Sequence, residues 1–270
     1  MILIERQQPS HWYLRNGTPY HEVPKLDGTG MRPVTLRDAR KVGALPSVTN
    51  ILGILAKPGL DAWKIEQGIM AALTLPRGQD EALDAFAKRV VVDMGEQVER
   101  AAGLGTAVHA ACELYASERV IPTDPHILSL WEPWREWYSK NVLCIEALES
   151  VVVNHTIGYG GRVDMMAKVK DLGWCVIDFK TQKVPRNAKG IPKPNLYETW
   201  PLQLAAYAVP LSVDVGKDVD HIVSVVIDSV TPSPVTVHVW PTSIDENMAI
   251  FERVATLWRW LKEYDPRAQP

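Results

Sequence analysis

The chain has 270 residues, of which 46% are hydrophobic, and its formal net charge at pH 7 is −3. This is enough apolar material for one sizeable core, or for a core with an N-terminal appendage. The acidic balance gives no general basic footprint for nucleic acid, although a local basic groove can exist on an acidic protein. No apolar run approaches the roughly 20 residues that cross a bilayer. Because the first residues also lack a secretory pattern, we expect a cytoplasmic protein that has no membrane partner.

The cysteines exclude two kinds of site. Cys112, Cys144 and Cys175 are widely spaced, and none belongs to a C-x-x-C arrangement. This spacing indicates neither a disulfide framework nor a zinc site.

The first part of the chain is predicted to be an extension followed by helices. Residues 1–45 are polar and turn-rich, and Asn16-Gly17 predicts a tight hairpin turn. Helical signals dominate from residue 46 onward, where Ser47 occupies the N-cap position of the first helix. A long helix is expected over 80–100, and we expect the glycines in the stretch 103–106 to end it.

The helix after these glycines carries a candidate metal ligand. Its apolar stripe consists of Leu104, Val108, Ala111, Cys112 and Tyr115. His109 and Glu113 lie one turn apart on a neighbouring face. A single helical histidine is more often a packing or surface residue than a ligand, so the spacing alone does not show that His109 binds a metal.

A further helix over 127–141 is rich in tryptophan, which we interpret as a core stripe rather than a surface for stacking on bases.

A strand follows in which one acidic residue interrupts an apolar face. Ile145, Ala147, Glu149, Val151 and Val153 alternate with their neighbours and should share one side of the strand. An acid on such a face is costly unless it is paired, hydrogen-bonded or bound to metal. The alternative is a bulge that lets Glu149 reach water, and both readings remain open.

The next two strands form the predicted centre of the protein. Val163, Met165, Ala167 and Val169 alternate with polar neighbours that include Asp164, and a turn follows at 171–173. In the second strand Asp178 and Lys180 project together, while Phe179 points into the opposite layer. The hairpin can bring Asp164 to the face of Asp178 and Lys180. Two carboxylates and an amine would then converge, which suits the binding of divalent cations near a phosphate.

The remainder of the chain is predicted to be a basic loop, a helix, two strands and a terminal helix. The loop carries Lys183, Arg186, Lys189 and Lys193, which suit contacts with phosphate. In a helix over 198–209, Gln203 and Tyr207 share one face. Strands are expected over 221–228 and 234–240. The terminal helix over 244–264 should bury Met248, Phe251, Val254, Leu257 and Trp258.

Four motifs in one order resemble those of the PD-(D/E)xK nucleases, in particular the branch that includes the RecB nuclease domain and many phage exonucleases. They are G-T-A-V-H at 105–109, G-R-V-D at 161–164, V-I-D-F-K-T at 176–181 and Q-L-A-A-Y at 203–207. The similarity runs from about Ser47 to about Asp228. Asp178 stands where many members have glutamate, although aspartate is common in the exonuclease branch.

The resemblance implies an α/β fold with a restriction-endonuclease-like mixed β-sheet flanked by helices and a mainly helical N-terminal part. We expect residues 1–45 to be an N-terminal extension and residues 46–270 to be the nuclease domain. Within that domain the helical part would span 46–141, the sheet core 142–240 and the C-terminal helix 244–264.

The resemblance also implies a DNA nuclease that depends on Mg²⁺ or Mn²⁺. Asp164, Asp178 and the Phe179 carbonyl would be oxygen ligands, and His109 would bind one metal ion and favour Mn²⁺. Lys180 would orient the attacking water or stabilise the transition state. No four-cysteine iron–sulfur cluster of the kind found in some relatives is expected, because the chain has three cysteines.

Further residues receive roles from the same resemblance. Gln203 would contact the substrate or a water at the metal, and Tyr207 would border the site or simply pack. Glu149 would lie near the site. Apart from the resemblance, we expect Glu113 to support the helix or to orient His109 rather than to bind metal itself. The expected partners are DNA and a phage recombination protein of the single-strand annealing type. An exonuclease is favoured over a structure-specific or small endonuclease and over a non-catalytic DNA-binding protein of the same fold.

Overall fold

The computed structural model describes residues 11–268. The first ten residues of the expected extension and the last two residues of the chain lie outside this range. The N-terminal elements are β1 (Trp12–Tyr13), β2 (Glu22–Pro24), β3 (Met31–Pro33), α1 (Leu36–Val42), β4 (Leu45–Pro46), α2 (Val48–Leu52), α3 (Pro58–Thr74), α4 (Leu83–Glu118) and α5 (Pro125–Asn141). They are followed by β5 (Val142–Asn154), β6 (Tyr159–Val169), β7 (Gly173–Gln182), α6 (Thr199–Val215), β8 (His221–Asp228), β9 (Thr236–Val239) and α7 (Ile244–Lys262).

A five-stranded mixed sheet forms the centre of the fold. Its strands lie in the order β5-β6-β7-β8-β9. Strands β7 and β8 run parallel and are joined by a crossover through α6, whereas the other neighbouring pairs are antiparallel. The β6–β7 hairpin closes at Asp171 and Gly173, both of which have positive φ angles. The hairpin expected from the alternating pattern is therefore present.

Helices cover both faces of this sheet. On one face α2, α6 and α7 pack over a core that includes Met166, Val176 and Ile222. On the other face α4 and α5 pack over Met165 and Ile177. This arrangement confirms the expected α/β class, with a mixed sheet flanked by helices and a helical N-terminal part.

Helix α4 corrects one sequence prediction. It runs unbroken from Leu83 to Glu118, so the expectation that the glycines at 103 and 105 end it is wrong. Each glycine weakens a helix by about 1 kcal/mol relative to alanine, but it keeps the backbone donor that proline would remove. The second half of α4 is held by tertiary packing, because Val108 and Cys112 are fully buried against α5 and the sheet.

The two C-terminal helices also differ from the prediction. Helix α6 continues through Pro210 to Val215, whereas the sequence pattern placed its end at residue 209. In α7, Leu257 is 45% exposed although we expected it to face inward. The adjacent Trp258 fills that part of the core instead.

Strands β5 and β6 do not keep a single alternation along their length. Ile145 packs on the α4/α5 side and Ala147 on the α6/α7 side, and a register shift separates them. The predicted common face of this strand is therefore wrong. Further along, Glu149 has a φ of 47°, a left-handed conformation that is rare outside glycine. Beyond this point Val163 packs on the α6/α7 side, whereas Met165 packs on the α4/α5 side.

Residues 12–46 share the core of the sheet region. Strand β1 pairs with β4, and Ser47 forms a bridge to Gly160 of β6. Trp12 is 2% exposed, and its ring lies 6.1 Å from that of Trp258 in α7. Whether residue 45 marks a boundary between folding units remains a prediction, but the described part of the predicted extension packs on the C-terminal helix.

Replacement of Trp12 by alanine should therefore destabilise the whole protein. We expect a loss of ~3–5 kcal/mol in the free energy of unfolding, because a buried indole is removed and a cavity is left. Urea denaturation followed by circular dichroism measures this. Trp260→Ala is the matched control, since Trp260 is 73% exposed and its loss should change the free energy of unfolding by less than ~0.5 kcal/mol. Equal stability of the two variants would show that residues 12–46 are a dispensable appendage.

Candidate active site

One half of the candidate site is a hydrogen-bonded group between β7 and α6. Asp178 is 3% exposed, and its Oδ2 lies 2.7 Å from the Nζ of Lys180, two residues along the same strand face. Gln203 of α6 donates from Nε2 to Asp178 Oδ1 at 3.1 Å and to the Tyr207 hydroxyl at 3.2 Å. The Lys180 ammonium also lies 3.4 Å from Gln203 Oε1, to which it donates. Gln203 thus holds both charged residues of β7 in place.

The close approach of α6 to the sheet requires glycine at position 161. A Cβ built at Gly161 would lie 2.4 Å from Cε1 of Tyr207, which is closer than atoms can pack. Any side chain here would push Tyr207 away and with it the hydroxyl that receives the Gln203 hydrogen bond. The glycine of the G-R-V-D motif therefore sets the spacing between β6 and α6.

The other half of the site is formed by α4, β5 and β6. His109 Nε2 lies 2.9 Å from Asp164 Oδ2, and His109 Nδ1 lies 3.5 Å from Glu149 Oε1. Asp164 Oδ2 accepts a hydrogen bond of 2.8 Å from the backbone N–H of Phe179, whose ring packs against the His109 ring. Phe179 thereby links this group to the strand that carries Asp178 and Lys180.

Glu149 reaches the site because its backbone is left-handed. Its carboxylate forms an ion pair with Arg162 and faces His109. Arg162 also lies 3.5 Å from Glu113 of α4. Glu149 therefore lies beside His109, and its role in a site stays a prediction. The ion pair of Glu113 is with Arg162, whereas the sequence analysis expected Glu113 to support the helix or to orient His109. We did not assign Arg162 a role, although it lies two residues from Asp164 on the same strand and the period of two could have indicated it.

Electrostatic interactions in the site are strong. The pKa of Asp178 is raised to about 6, because burial and the charge of Asp164 outweigh the opposing effect of Lys180. Burial also raises the pKa of Glu149, with a contribution from Asp164. Although burial favours the neutral imidazole, the hydrogen bond and charge of Asp164, together with Glu149 and Asp178, raise the pKa of His109 to about 9. Three carboxylates therefore create a negative potential that stabilises positive charge.

His109, Glu149 and Asp164 fit the requirements of a divalent cation. One ligand atom from each lies within 4.8 Å of the others, a spacing that a single cation can bridge. Imidazole and carboxylate together suit Mn²⁺ and other transition ions, and carboxylates also suit Mg²⁺. Within residues 11–268, Asp178 lies outside this three-residue cluster, so the predicted set of His109, Asp164 and Asp178 is not seen as one group of donors. Asp178 is engaged by Lys180 and Gln203 instead.

The basic loop after β7 is exposed and internally hydrogen-bonded. The side chains of Lys183, Arg186, Lys189 and Lys193 are all exposed. Asn195 and Gln182 join the two ends of the loop through two hydrogen bonds, and Arg186 lies 3.8 Å from Asp228. Three of the four predicted phosphate-contacting residues therefore have no ion-pair partner among the described residues.

A pocket of about 270 Å³ adjoins Lys180 and Gln203. Trp200 and Tyr197 line it, and their rings meet edge to face at 5.3 Å. The Lys180 ammonium lies 5.4 Å from the centre of the Trp200 ring, within the range of a cation–π contact. The sequence analysis did not single out these aromatic residues, because their relation to Lys180 depends on how α6 crosses the sheet.

Among the helices of the described range, none is both long and apolar enough to cross a membrane. No protein-family model matches the chain, and no curated protein matches it. The fold is similar to the crystal structure of a protein from Eubacterium rectale described as a "putative exonuclease", with a TM-score of 0.40 and 11% sequence identity. The match covers 62% of this chain and 70% of that one. A likeness this distant does not assign an activity, so any activity has to be inferred from the residues of the candidate site.

Proposed function

We propose that the protein is a divalent-metal-dependent DNA nuclease of the PD-(D/E)xK type, most similar in its motifs to the RecB-like and phage exonuclease branch. One observation carries this proposal. The His109–Glu149–Asp164 cluster stands directly beside the Asp178–Lys180 pair, to which the Phe179 backbone connects it. A group of candidate cation ligands next to a lysine suits hydrolysis of a phosphodiester.

The residues that would hold the metal are His109, Glu149 and Asp164, with Asp178 and the Phe179 carbonyl as further ligands. A bound Mg²⁺ or Mn²⁺ would supply positive charge at the scissile phosphate and lower the pKa of a water. Arg162 would keep the Glu149 carboxylate oriented, because it already pairs with that group. Glu113 would act indirectly, by fixing Arg162.

Lys180 and Gln203 would act on the reacting atoms. The Lys180 ammonium would orient the attacking water or donate to a phosphate oxygen as negative charge develops. Gln203 would fix the positions of the Lys180 and Asp178 side chains, and it would contact the substrate. Tyr207 would be a positioning residue, since its buried hydroxyl only receives the hydrogen bond from Gln203. Lys183, Arg186, Lys189 and Lys193 would bind phosphates of the DNA beside the site.

We place the activity in the cytoplasm and favour end-directed cleavage in DNA recombination, repair or processing, with a single-strand annealing protein as a partner. This context rests on the motif order shared with phage exonucleases. An endonuclease and a non-catalytic DNA-binding protein are the alternatives.

Metal dependence and cleavage mode can be tested together. Linear and circular DNA of one sequence are incubated with the protein in Mg²⁺ or Mn²⁺, and the products are sized over time. We expect linear DNA to be shortened from its ends, circular DNA to stay intact and EDTA to abolish cleavage, because no side chain can replace the cation's charge at the phosphate. Cutting of circular DNA would assign an endonuclease. Persistent cleavage in excess EDTA would overturn the metal-dependent mechanism.

A further inference from the structure

A second recess lies on the N-terminal side of the candidate site. This N-terminal groove has a volume of about 970 Å³ and runs between α1, the segment 50–57 and the end of α7. It shares Thr49 and Lys57 with the aromatic pocket that Trp200 and Tyr197 line. The groove and the pocket therefore adjoin each other at these two residues, and Lys180 lines the pocket.

The groove is strongly basic in a protein whose net charge is negative. Its charged lining residues are Arg32, Arg37, Asp38, Lys41, Lys57 and Lys262. Asp38, the one acid in this set, is neutralised by two hydrogen bonds from Arg32, of 2.7 and 3.0 Å. Arg37, Lys41, Lys57 and Lys262 form no ion pair within the range that the structure describes. Four unmatched cations along a recess are suited to a polyanion.

Lys57 lies where the groove meets the aromatic pocket. Burial lowers its pKa, and the nearby charges of Lys180 and Lys64 lower it further. An anionic ligand at this point would relieve the repulsion between Lys57 and Lys180. The cations of the groove and Lys180 thus form one series of positive charges, with Lys57 between them. Successive phosphates of a nucleic-acid strand could each contact one of these charges.

The aromatic pocket restricts what kind of nucleic acid can enter. The Trp200 ring is partly exposed, and Tyr197 supports it edge to face. A base can stack on such a ring only if its own face is free, and inside a duplex both faces are covered by neighbouring base pairs. The terminal pair of a duplex has one free face, but its base cannot enter the pocket of about 270 Å³ without the base of the opposite strand. The pocket therefore suits an unpaired base at the end of a strand.

We propose that the N-terminal groove and the aromatic pocket form one path for a single strand of nucleic acid. The phosphates lie along Arg37, Lys41, Lys262 and Lys57, and a terminal base stacks on Trp200 beside Lys180. This path deepens the proposed nuclease function, on which it rests, by naming a single-stranded end as the substrate form.

The path is tested by binding rather than by cleavage. A labelled single strand of about 12 nucleotides, within the usual site sizes of single-strand grooves, and a blunt duplex of the same sequence are titrated in EDTA by fluorescence anisotropy. The triple variant Arg37→Gln/Lys41→Gln/Lys262→Gln should weaken binding of the single strand on the order of tenfold. It should also reduce the slope of log K against log salt by about 2, since three phosphate contacts are lost.

A matched triple variant separates a local effect from net charge. Lys168, Lys170 and Arg253 are exposed cations with no ion-pair partner among the described residues and line neither recess. The variant Lys168→Gln/Lys170→Gln/Arg253→Gln should bind the single strand like the parent. Trp200→Ala should lose at least about fivefold in affinity, and Trp200→Phe should retain most of it.

Two results would overturn the path: equal losses in the two triple variants, or equal affinity of the parent for single strand and blunt duplex. The outcome is separable from the nuclease assignment. If the parent cleaves DNA while the groove variant binds single strands normally, the path is wrong and the nuclease proposal stands. If binding follows the groove but no cation supports cleavage, the nuclease proposal is wrong and the path stands.

Discussion

Asp164→Asn should abolish cleavage and metal-induced stabilisation together. The change keeps the size of the side chain but removes the charge of one of the three residues proposed to bind the cation, His109, Glu149 and Asp164. In the parent, metal at ~100 times its dissociation constant should add about 2.7 kcal/mol to the free energy of unfolding. The variant should lose most of this gain, and turnover should fall at least on the order of 10³-fold. Thermal unfolding with and without Mn²⁺, beside a nuclease assay, measures both.

The same hairpin supplies the control for this experiment. Asp171 lies in its turn with a φ of 62°, a conformation that asparagine also adopts readily. Asp171→Asn should leave activity and metal response unchanged. Asp178→Asn should lose activity as well, since the carboxylate charge that pairs with Lys180 disappears. If Asp164→Asn responds to Mn²⁺ as the parent does, the metal centre is assigned to the wrong residues.

Lys180→Ala should separate catalysis from metal binding. The lysine does not belong to the proposed metal cluster of His109, Glu149 and Asp164, so the affinity for Mn²⁺ should stay near that of the parent. Turnover should fall by roughly 10²- to 10³-fold, because the lost interaction is strongest in the transition state. The measurement is kcat, KM and a metal titration for each variant.

The pH of the assay affects the result expected for Lys180→Ala. Lys180 lowers the pKa of Asp178, which burial and Asp164 raise to about 6. Without the lysine this pKa rises further, so protons compete more strongly with the metal at neutral pH. Assays at about pH 8 and above keep the carboxylate ionised. Lys168→Ala, an exposed lysine on the same hairpin, should behave as the parent. Full activity of Lys180→Ala at that pH would remove the lysine from the mechanism.

Local periodicity predicted the half of the site that lies on β7. Side chains alternate along a strand, so Asp178 and Lys180 had to share a face and Phe179 had to enter the opposite layer, where it packs on His109. The helical period likewise placed Gln203 and Tyr207 together, and they are hydrogen-bonded. These relations depend on neighbours two to four residues apart, which is the range over which sequence patterns carry information.

The other half could not be derived from local patterns. Glu149 has a left-handed backbone conformation, and the sequence has no glycine there that would have predicted it. Near this residue, side chains that the alternation placed on one side of the sheet pack on opposite sides, as Val163 and Met165 do. Helix α4 runs through Gly103 and Gly105 because tertiary packing outweighs their weak preference for helix. The groove depends on contacts between residues more than 200 positions apart, such as Arg40 with the Lys262 carbonyl.

The contact of Trp12 with Trp258 has a consequence for the order of events during synthesis. Arg15 donates to the carbonyl of Pro266, and the Tyr264 hydroxyl donates to that of Ala44, so the two ends of the described chain close on each other. On the ribosome the contacts of the N-terminal residues with α7 and the segment after it form only once these have emerged, which takes roughly 10–50 s at ~5–20 residues per second. Residues from 109 to 203 can meet earlier. A nascent chain would therefore bring together the residues of the candidate active site before it has closed the N-terminal groove.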